Sequence, residues 1–247
     1  MKRILAGPRF ILEALDRDDP APLEAVYIVG GEAGKRHQKI AALARSYAIR
    51  VEEVSRRRLD ELSGGLRHQG IVAIAPEFPY LSLEELIAEL GERPLLIALD
   101  EITDPHNLGA IIRSAVAFGA DGILLPERRS AGVTGAVSRS SAGAVEHARI
   151  ARVVNLAQAI DTLKSRGLFA IGLAGEAAHS LENFQPSPGG DLLIVGSEGR
   201  GLRALTRKRC DQLLRIEMSG KINSLNASVA AGIALHSLHQ KRRHFTL

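Results

Sequence analysis

The chain has 247 residues, of which 45% are hydrophobic, so it is long enough for one large domain or two ordinary domains with buried cores. It has one cysteine, which argues against a disulfide framework and a metal site. It has no apolar run of the ~20 residues that cross a bilayer, which argues against a membrane partner. With no apolar signal segment either, the sequence favours the cytoplasm. The net charge of +4 is unevenly distributed, because residues 206–247 carry eight Lys or Arg against two Asp or Glu. This basic C-terminal region indicates either a polyanionic partner or an ordinary solvated surface.

Residues 1–76 predict a small α/β unit. Apolar residues at helical spacing predict two helices, and short β-branched or apolar runs predict three strands. The helices cover residues 9–19 and 35–48, and the strands cover residues 25–29, 51–54 and 70–75. A glycine-rich loop at residues 63–70 precedes the last strand, and its polar side chains suit contact with RNA.

Residues 77–93 predict a linker that contains the start of a helix, because Ser82 and Glu85 have the spacing of a capping box. From residue 94 to residue 247, apolar strand-like runs alternate with helical stretches. The strands are predicted at 95–99, 122–125, 148–154, 169–173, 192–195 and 212–216, and the helices at 107–118, 155–166 and 225–240. This alternation predicts an α/β domain with a mainly parallel sheet covered by helices on both faces.

Three polar clusters interrupt the apolar pattern of this domain, and the first is at residues 104–115. Asp104 is placed as the N-cap of a helix that begins at Pro105. Arg113 lies about 140° from Leu108 on the helical wheel, so it points away from the core. Its neighbours on that face are small, and either a phosphate or a second subunit would fit there. Taken alone, this cluster is explained at least as well as a capped helix that carries an ordinary surface arginine.

The second cluster is the turn Gly-Ser-Glu-Gly-Arg-Gly at residues 196–201, directly after an apolar run. Its glycines let the backbone come close to a ligand. The turn is neither a dinucleotide fingerprint nor a phosphate-binding P-loop, so a Rossmann oxidoreductase is disfavoured. Glu198 would repel a phosphate, and it favours a ligand that carries an amine or another positive charge.

The third cluster, at residues 224–228, opens a helix rich in Ala, Gly and Ser. Ser224 and Asn226 lie at the predicted helix start, where free N–H groups and small polar side chains can hold a carboxylate or an adenine edge. A simple N-cap explains Ser224 but not Asn226.

In this order, the three clusters resemble the motifs of the SpoU-type RNA 2′-O-ribose methyltransferases of the SPOUT superfamily. The matching patterns are D-P-x-N-x-G-x-x-x-R-S-A, G-x-E-G-x-G-L and S-L-N-x-S-V-A, and they extend over the whole C-terminal domain. The N-terminal unit, which ends His68-Gln69-Gly70-Ile71, resembles the small L30e-like RNA-binding domain of the branch that methylates a guanosine in 23S ribosomal RNA.

The resemblance implies a trefoil knot in the C-terminal domain, S-adenosylmethionine bound in the knot loops, RNA as substrate, and a homodimer packed through the first and last helices of that domain. It implies a catalytic cluster of Asn107, Arg113, Glu198, Ser224 and Asn226. It also implies that the backbone holds the cofactor near Gly196, Ile216, Met218 and Leu225. One position departs from the family pattern: Glu217 stands where members usually have Pro, so we expect a less rigid loop that still binds the cofactor.

The implied reaction moves a methyl group to a ribose 2′-hydroxyl, which requires alignment of two centres and removal of a proton. In the family, the arginine matched by Arg113 is proposed as the base. Because the pKa of arginine exceeds ~12, we expect it to clamp a phosphate and orient the hydroxyl, with Glu198 positioning either Arg113 or Asn107. Two alternatives stay open: a transfer RNA substrate, and a non-catalytic RNA-binding protein on the same scaffold.

Overall fold

The structure is a computed structural model that describes residues 2–16, 22–31, 34–220, 222 and 224–244. The chain divides into two compact units. The first unit comprises Met1–Pro79 and Gly132–His147, and the second comprises Tyr80–Ala131 and Ala148–Leu247. The sequence-based division, with a linker at 77–93 and one domain over 94–247, did not anticipate that residues 132–147 pack with the first unit.

The first unit is built on a mixed four-stranded sheet in the order β1-β4-β2-β3. Its strands are β1 (Arg3–Ala6), β2 (Ala25–Val29), β3 (Arg50–Val54) and β4 (Ile71–Ala75), and its helices in the N-terminal part are α1 (Pro8–Leu15), α2 (Lys35–Ser46) and α3 (Arg56–Ser63). Only β2 and β3 run parallel. The three predicted strands and both predicted helices are confirmed, although residues 17–19 of the first helix prediction lie outside the described residues.

The segment Gly132–His147 contributes α6 (Gly135–Ser140) and a 3₁₀ turn (Ala144–His147) to the first unit. It is held there by a buried ion pair in which Arg3 Nη1 lies 2.6 Å from Glu146 Oε1, with both side chains less than 5% exposed. Because both residues are charged, the sequence pattern does not distinguish them from surface residues. This long-range pair explains why β1 and the segment around α6 were missed.

The second unit contains a seven-stranded sheet in the order β7-β6-β5-β10-β8-β11-β9. Its strands are β5 (Leu95–Asp100), β6 (Gly122–Pro126), β7 (Ile150–Val153), β8 (Phe169–Leu173), β9 (His179–Ser180), β10 (Asp191–Gly196) and β11 (Gln212–Arg215). Every neighbouring pair is parallel, which confirms the predicted parallel sheet. The central strand β10 lies between β5 and β8.

Helices cover this sheet. They are α4 (Leu83–Ala88), α5 (Pro105–Ala117), α7 (Leu156–Ser165), α8 (Ala204–Arg209) and α9 (Ala227–His244). The capping box of Ser82 and Glu85 is confirmed at the start of α4. The long helix α9 packs along α5, where a Cβ on Gly232 would lie 3.4 Å from Ser114 Oγ, so a small residue suits this close approach. Within the described residues, none of the helices has the length and apolar character needed to cross a bilayer.

The single thiol, Cys210, follows α8 and packs against the core of the second unit. Burial, together with the charge of the adjacent Asp211, raises the pKa of this thiol to about 11. Since the thiolate is the nucleophile, we expect native Cys210 to react with a disulfide reagent at pH 8 about 100-fold more slowly than the thiol of the unfolded chain. Stopped-flow absorbance with and without guanidinium measures both rates, and equal rates would contradict the burial of this side chain.

Candidate active site

The three polar clusters come together at the carboxyl end of the parallel sheet. The first cluster follows β5, the second follows β10, and the third begins α9 after β11. Strands β5 and β10 are direct neighbours, with Gly196 in register with Asp100. Ligands of open α/β sheets bind at this edge, so the convergence identifies the edge as the candidate site.

The glycine turn after β10 folds back on the end of its own strand. The Gly201 backbone N–H donates to the Ser197 carbonyl at 2.9 Å. Gly199 and Gly201 have φ values of 77° and 65°, in the left-handed region that favours glycine. A Cβ on Gly196 would overlap the backbone of Gly201 and Leu202. The glycines therefore close a tight turn, which presents Glu198 and Arg200 at its tip.

A buried carboxylate that the sequence analysis did not single out anchors this turn. Asp100 is fully buried at the end of β5. Its two oxygens accept from the Arg203 backbone N–H at 2.9 Å and from Arg203 Nε at 2.6 Å. The turn is thereby fixed at both ends, by Gly196 within β10 and by Arg203 against β5. An aspartate closing an otherwise apolar strand was the available sequence signal.

The N-cap of α9 is Asn226 rather than Ser224. Asn226 Oδ1 accepts from the backbone N–H groups of Ser228 at 2.8 Å and Val229 at 3.3 Å, and the Ala230 N–H donates to the Asn226 carbonyl. These bonds fix the amide orientation, because the oxygen must face the helix and the nitrogen must face away. Ser224 lies two residues earlier, so the N-cap explanation considered for it does not hold.

Asn107, Glu198 and Asn226 form one hydrogen-bonded group, which we call the polar triad. Asn226 Nδ2 donates to Asn107 Oδ1 at 3.0 Å and also to Glu198 Oε1. Asn107 Nδ2 donates to the same Glu198 oxygen at 2.9 Å. Two amide donors therefore orient one carboxylate oxygen and leave the other available to a ligand. Of the two partners considered for Glu198, its described contact is with Asn107 and not with Arg113.

A cavity of about 780 Å³ opens beside the polar triad. Its volume lies within the range of sites for small molecules and cofactors. All four predicted cofactor residues line it, as do Glu198 and Ser224. The predicted lining residues are Gly196, Ile216, Met218 and Leu225, and apolar side chains of Leu173, Val195, Leu202 and Leu214 add to the wall.

Arg113 is exposed on α5 and points away from the core, as the helical wheel predicts. Within the part of the chain that the structure describes, its side chain has no hydrogen bond or ion pair with the other four predicted catalytic residues. It does not line the cavity either. The structure therefore unites Asn107, Glu198 and Asn226, places Ser224 on the cavity wall, and leaves Arg113 pointing outward.

Two families match the chain in separate regions. The SpoU rRNA Methylase family matches residues 94–236, and the family described as RNA 2′-O ribose methyltransferase substrate binding matches residues 4–81. YacO of Bacillus subtilis (strain 168), named as a TrmH family tRNA/rRNA methyltransferase, is 37% identical over 242 residues, which are 96% of this chain and 94% of that protein.

Two solved structures are similar over nearly the whole chain. The SpoU methyltransferase AviRb from Streptomyces viridochromogenes, in complex with the cofactor AdoMet, has a TM-score of 0.83 at 25% identity and covers 98% of this chain and 91% of its own. The AdoMet-bound rRNA methyltransferase from Sinorhizobium meliloti has a TM-score of 0.82 at 25% identity, covering 100% of this chain and 88% of its own.

The fold, the site and these similarities define an RNA methyltransferase that uses S-adenosylmethionine. The chain belongs to the SpoU family, whose members also carry the name TrmH.

The residues of the cavity fit this cofactor. Apolar side chains offer a surface for the adenine ring, the glycine turn exposes backbone polar groups, and the Glu198 carboxylate suits a cationic sulfur or ammonium group. Among the described residues, no group of three or more His, Cys, Asp or Glu is arranged to hold a metal ion.

Proposed function

We propose that the protein transfers a methyl group from S-adenosylmethionine to the ribose 2′-hydroxyl of a nucleotide, a guanosine, in 23S ribosomal RNA. The observation that carries the proposal is the position of the polar triad. Two amides, those of Asn107 and Asn226, fix the carboxylate of Glu198, which lines a cavity whose other lining residues suit the cofactor. This supports transfer to a polar acceptor, because hydrogen-bonding groups next to the methyl donor can orient a hydroxyl.

The residues of the site would divide the work. The cofactor supplies a methyl group activated by the positive charge on its sulfur. Glu198 and the two asparagines hold the polar edge at which the ribose is oriented, and Ser224 offers a hydroxyl on the same wall. Arg113 clamps the phosphate of the target nucleotide, since a guanidinium binds phosphate oxygens in a planar fork. A guanidinium that holds a phosphate is protonated and cannot accept a proton, so the hydroxyl proton leaves to an oxygen of that phosphate.

Two finer features of the fold belong to this proposal. The segment after β10 and the segment after β11 would form a trefoil knot, and their shared lining of one cavity supports it. The first unit would be an L30e-like RNA-binding domain, which is supported by the match of residues 4–81 to a substrate-binding family. With ribosomal RNA as substrate, the protein would act in the cytoplasm.

Methyl incorporation tests the choice of RNA. The purified protein is incubated with cofactor labelled in the methyl group and with 23S ribosomal RNA transcribed without modifications, in parallel with unmodified transfer RNA. We expect label in the ribosomal RNA at one position, which primer extension then maps. Label in transfer RNA alone would replace the substrate assignment, and no label in either RNA, with the cofactor bound, would favour a non-catalytic RNA-binding protein.

The proposed homodimer would pack through α5 and α9. On α9, Val229 and Ile233 are 48% and 41% exposed and lie four residues apart, so they share one face of the helix. Exposed apolar side chains on one face indicate contact with a partner surface. The face of α5 around Arg113 is lined by small residues, among them Ala117, which would let that partner approach Arg113 closely.

Replacing Val229 with Glu tests this dimer. We expect the variant to sediment as a monomer at concentrations where the wild type is a dimer, because the charge would be buried without a partner. Analytical ultracentrifugation gives both masses. The matched control is Val154→Glu, since Val154 is 82% exposed after the edge strand β7. A V229E variant that remains dimeric would rule out this interface.

A further inference from the structure

The charged side chains that line the cofactor cavity are largely paired with one another. Among the lining residues that the structure describes, three are cationic and three are anionic: Arg200, Arg207, Arg215, Glu176, Glu198 and Glu217. Arg207 forms an ion pair with Glu176. Arg215 forms another with Glu217, with Arg215 Nη2 lying 2.8 Å from Glu217 Oε1. These two pairs neutralise four of the six charges.

Arg215 also makes hydrogen bonds to the backbone beside the cavity. Its Nη1 donates to the carbonyls of Ala177 and Ala178 at 2.7 and 2.6 Å. These bonds hold the loop after β8 against the end of β11. Neither Arg207 nor Arg215 can therefore turn to a ligand without losing contacts that it already makes.

Of the charges on the described lining residues, those of Glu198 and Arg200 remain, and the two residues lie two positions apart in the glycine turn. Glu198 is oriented by the amides of Asn107 and Asn226. Arg200 is exposed between two glycines of positive φ, and its guanidinium makes no hydrogen bond or ion pair with any described residue. The turn thus presents one oriented negative charge and one uncommitted positive charge to the same cavity.

We propose that Arg200 binds the carboxylate of the methionine part of S-adenosylmethionine. The cofactor carries a carboxylate at one end and cationic sulfur and ammonium groups nearby, so its charges match the two that the cavity leaves unpaired. A guanidinium pairs with a carboxylate through two parallel hydrogen bonds. Arg200 is thus a cofactor-binding residue, distinct from the residues predicted to contact the cofactor through backbone.

Binding of a cofactor without the carboxylate tests this assignment directly. Isothermal titration calorimetry, without RNA, compares S-adenosylmethionine with its decarboxylated analogue on the wild type and on Arg200→Gln. We expect R200Q to weaken binding of S-adenosylmethionine about tenfold, as expected for loss of one charge-assisted contact, and to leave binding of the analogue unchanged. Arg200→Lys should weaken binding of S-adenosylmethionine less than R200Q does, because lysine keeps the positive charge but lacks the planar guanidinium.

Lys208→Gln is the matched control, because Lys208 is an exposed cation on α8 that does not line the cavity. It should leave both affinities unchanged. Equal loss of both ligands in R200Q would show a general effect on the turn and would overturn the proposal. Unchanged binding of S-adenosylmethionine together with a raised KM for RNA would assign Arg200 to an RNA phosphate instead. Because binding is measured without RNA, the role of Arg200 can be disproved while the proposed RNA methylation still holds. In the same way, the proposed methylation can be disproved while Arg200 is still shown to bind the cofactor.

Discussion

Replacing Arg113 with Ala is expected to lower the methylation rate by about 10³-fold while cofactor affinity stays unchanged. Arg113 is exposed on α5 and does not line the cavity, so its loss leaves the cofactor walls intact. Its proposed work lies on the RNA side, where it holds the phosphate and orients the hydroxyl. Single-turnover methylation and calorimetric titration of the cofactor give the two quantities separately.

Two further variants sharpen this test. Arg166→Ala removes an arginine that is also exposed but lies at the end of α7, and it should keep the wild-type rate. Arg113→Lys keeps the charge and loses the planar fork, so it should recover only part of the rate. The role given to Arg113 would be contradicted if the Arg113→Ala variant no longer bound the cofactor. It would also be contradicted if that variant methylated RNA at the wild-type rate.

Replacing Gly196 with Ala is expected to abolish cofactor binding and to destabilise the second unit by about 3 kcal/mol. The added Cβ would overlap the backbone of Gly201 and Leu202, where the turn folds back on β10. Nothing there is a flexible side-chain end that could move aside, so the turn itself must shift. The Glu198 carboxylate would then leave the amides of Asn107 and Asn226. Thermal unfolding and cofactor titration measure the two effects.

Gly91→Ala is the matched control for this substitution, because Gly91 lies in the same unit and an added Cβ would have no atom within 4 Å. It should change neither stability nor cofactor affinity. If Gly196→Ala binds the cofactor as tightly as the wild type, the tight turn is not what shapes the cavity.

The parallel sheet and most of its elements were predictable because they depend on local patterns. Runs such as 95–99 and 192–195 are apolar throughout, which is typical of strands buried on both faces. Helix α3 was missed although its signals are local, the Ser55 cap and the left-handed Gly64, whereas β1 and the segment 132–147 depend on distant contacts. Strand β1 contains Arg3, whose charge is paired with Glu146, far along the chain. Glu146 lies in the segment 132–147, whose packing with the first unit no local pattern could indicate.

The candidate site was predictable as a set of residues but not as a geometry. Each cluster taken alone has an ordinary structural explanation, and only their joint order pointed to one site. The sequence suggested Ser224 as a plain helix cap, whereas Asn226 makes the capping bonds and uses its amide nitrogen for Glu198. The contribution of Asp100 and Arg203 was not seen, since a fully buried carboxylate shows its role only once its partner is known.

The chemical position of the added methyl group shows whether it goes to a ribose hydroxyl, as proposed. Methylated 23S ribosomal RNA is digested completely to nucleosides, which are separated by chromatography and identified by tandem mass spectrometry. If the polar triad orients a ribose, the labelled methyl group will be found on the sugar of a single nucleoside, guanosine. A labelled methyl group on a base would contradict the role assigned to Asn107, Glu198 and Asn226.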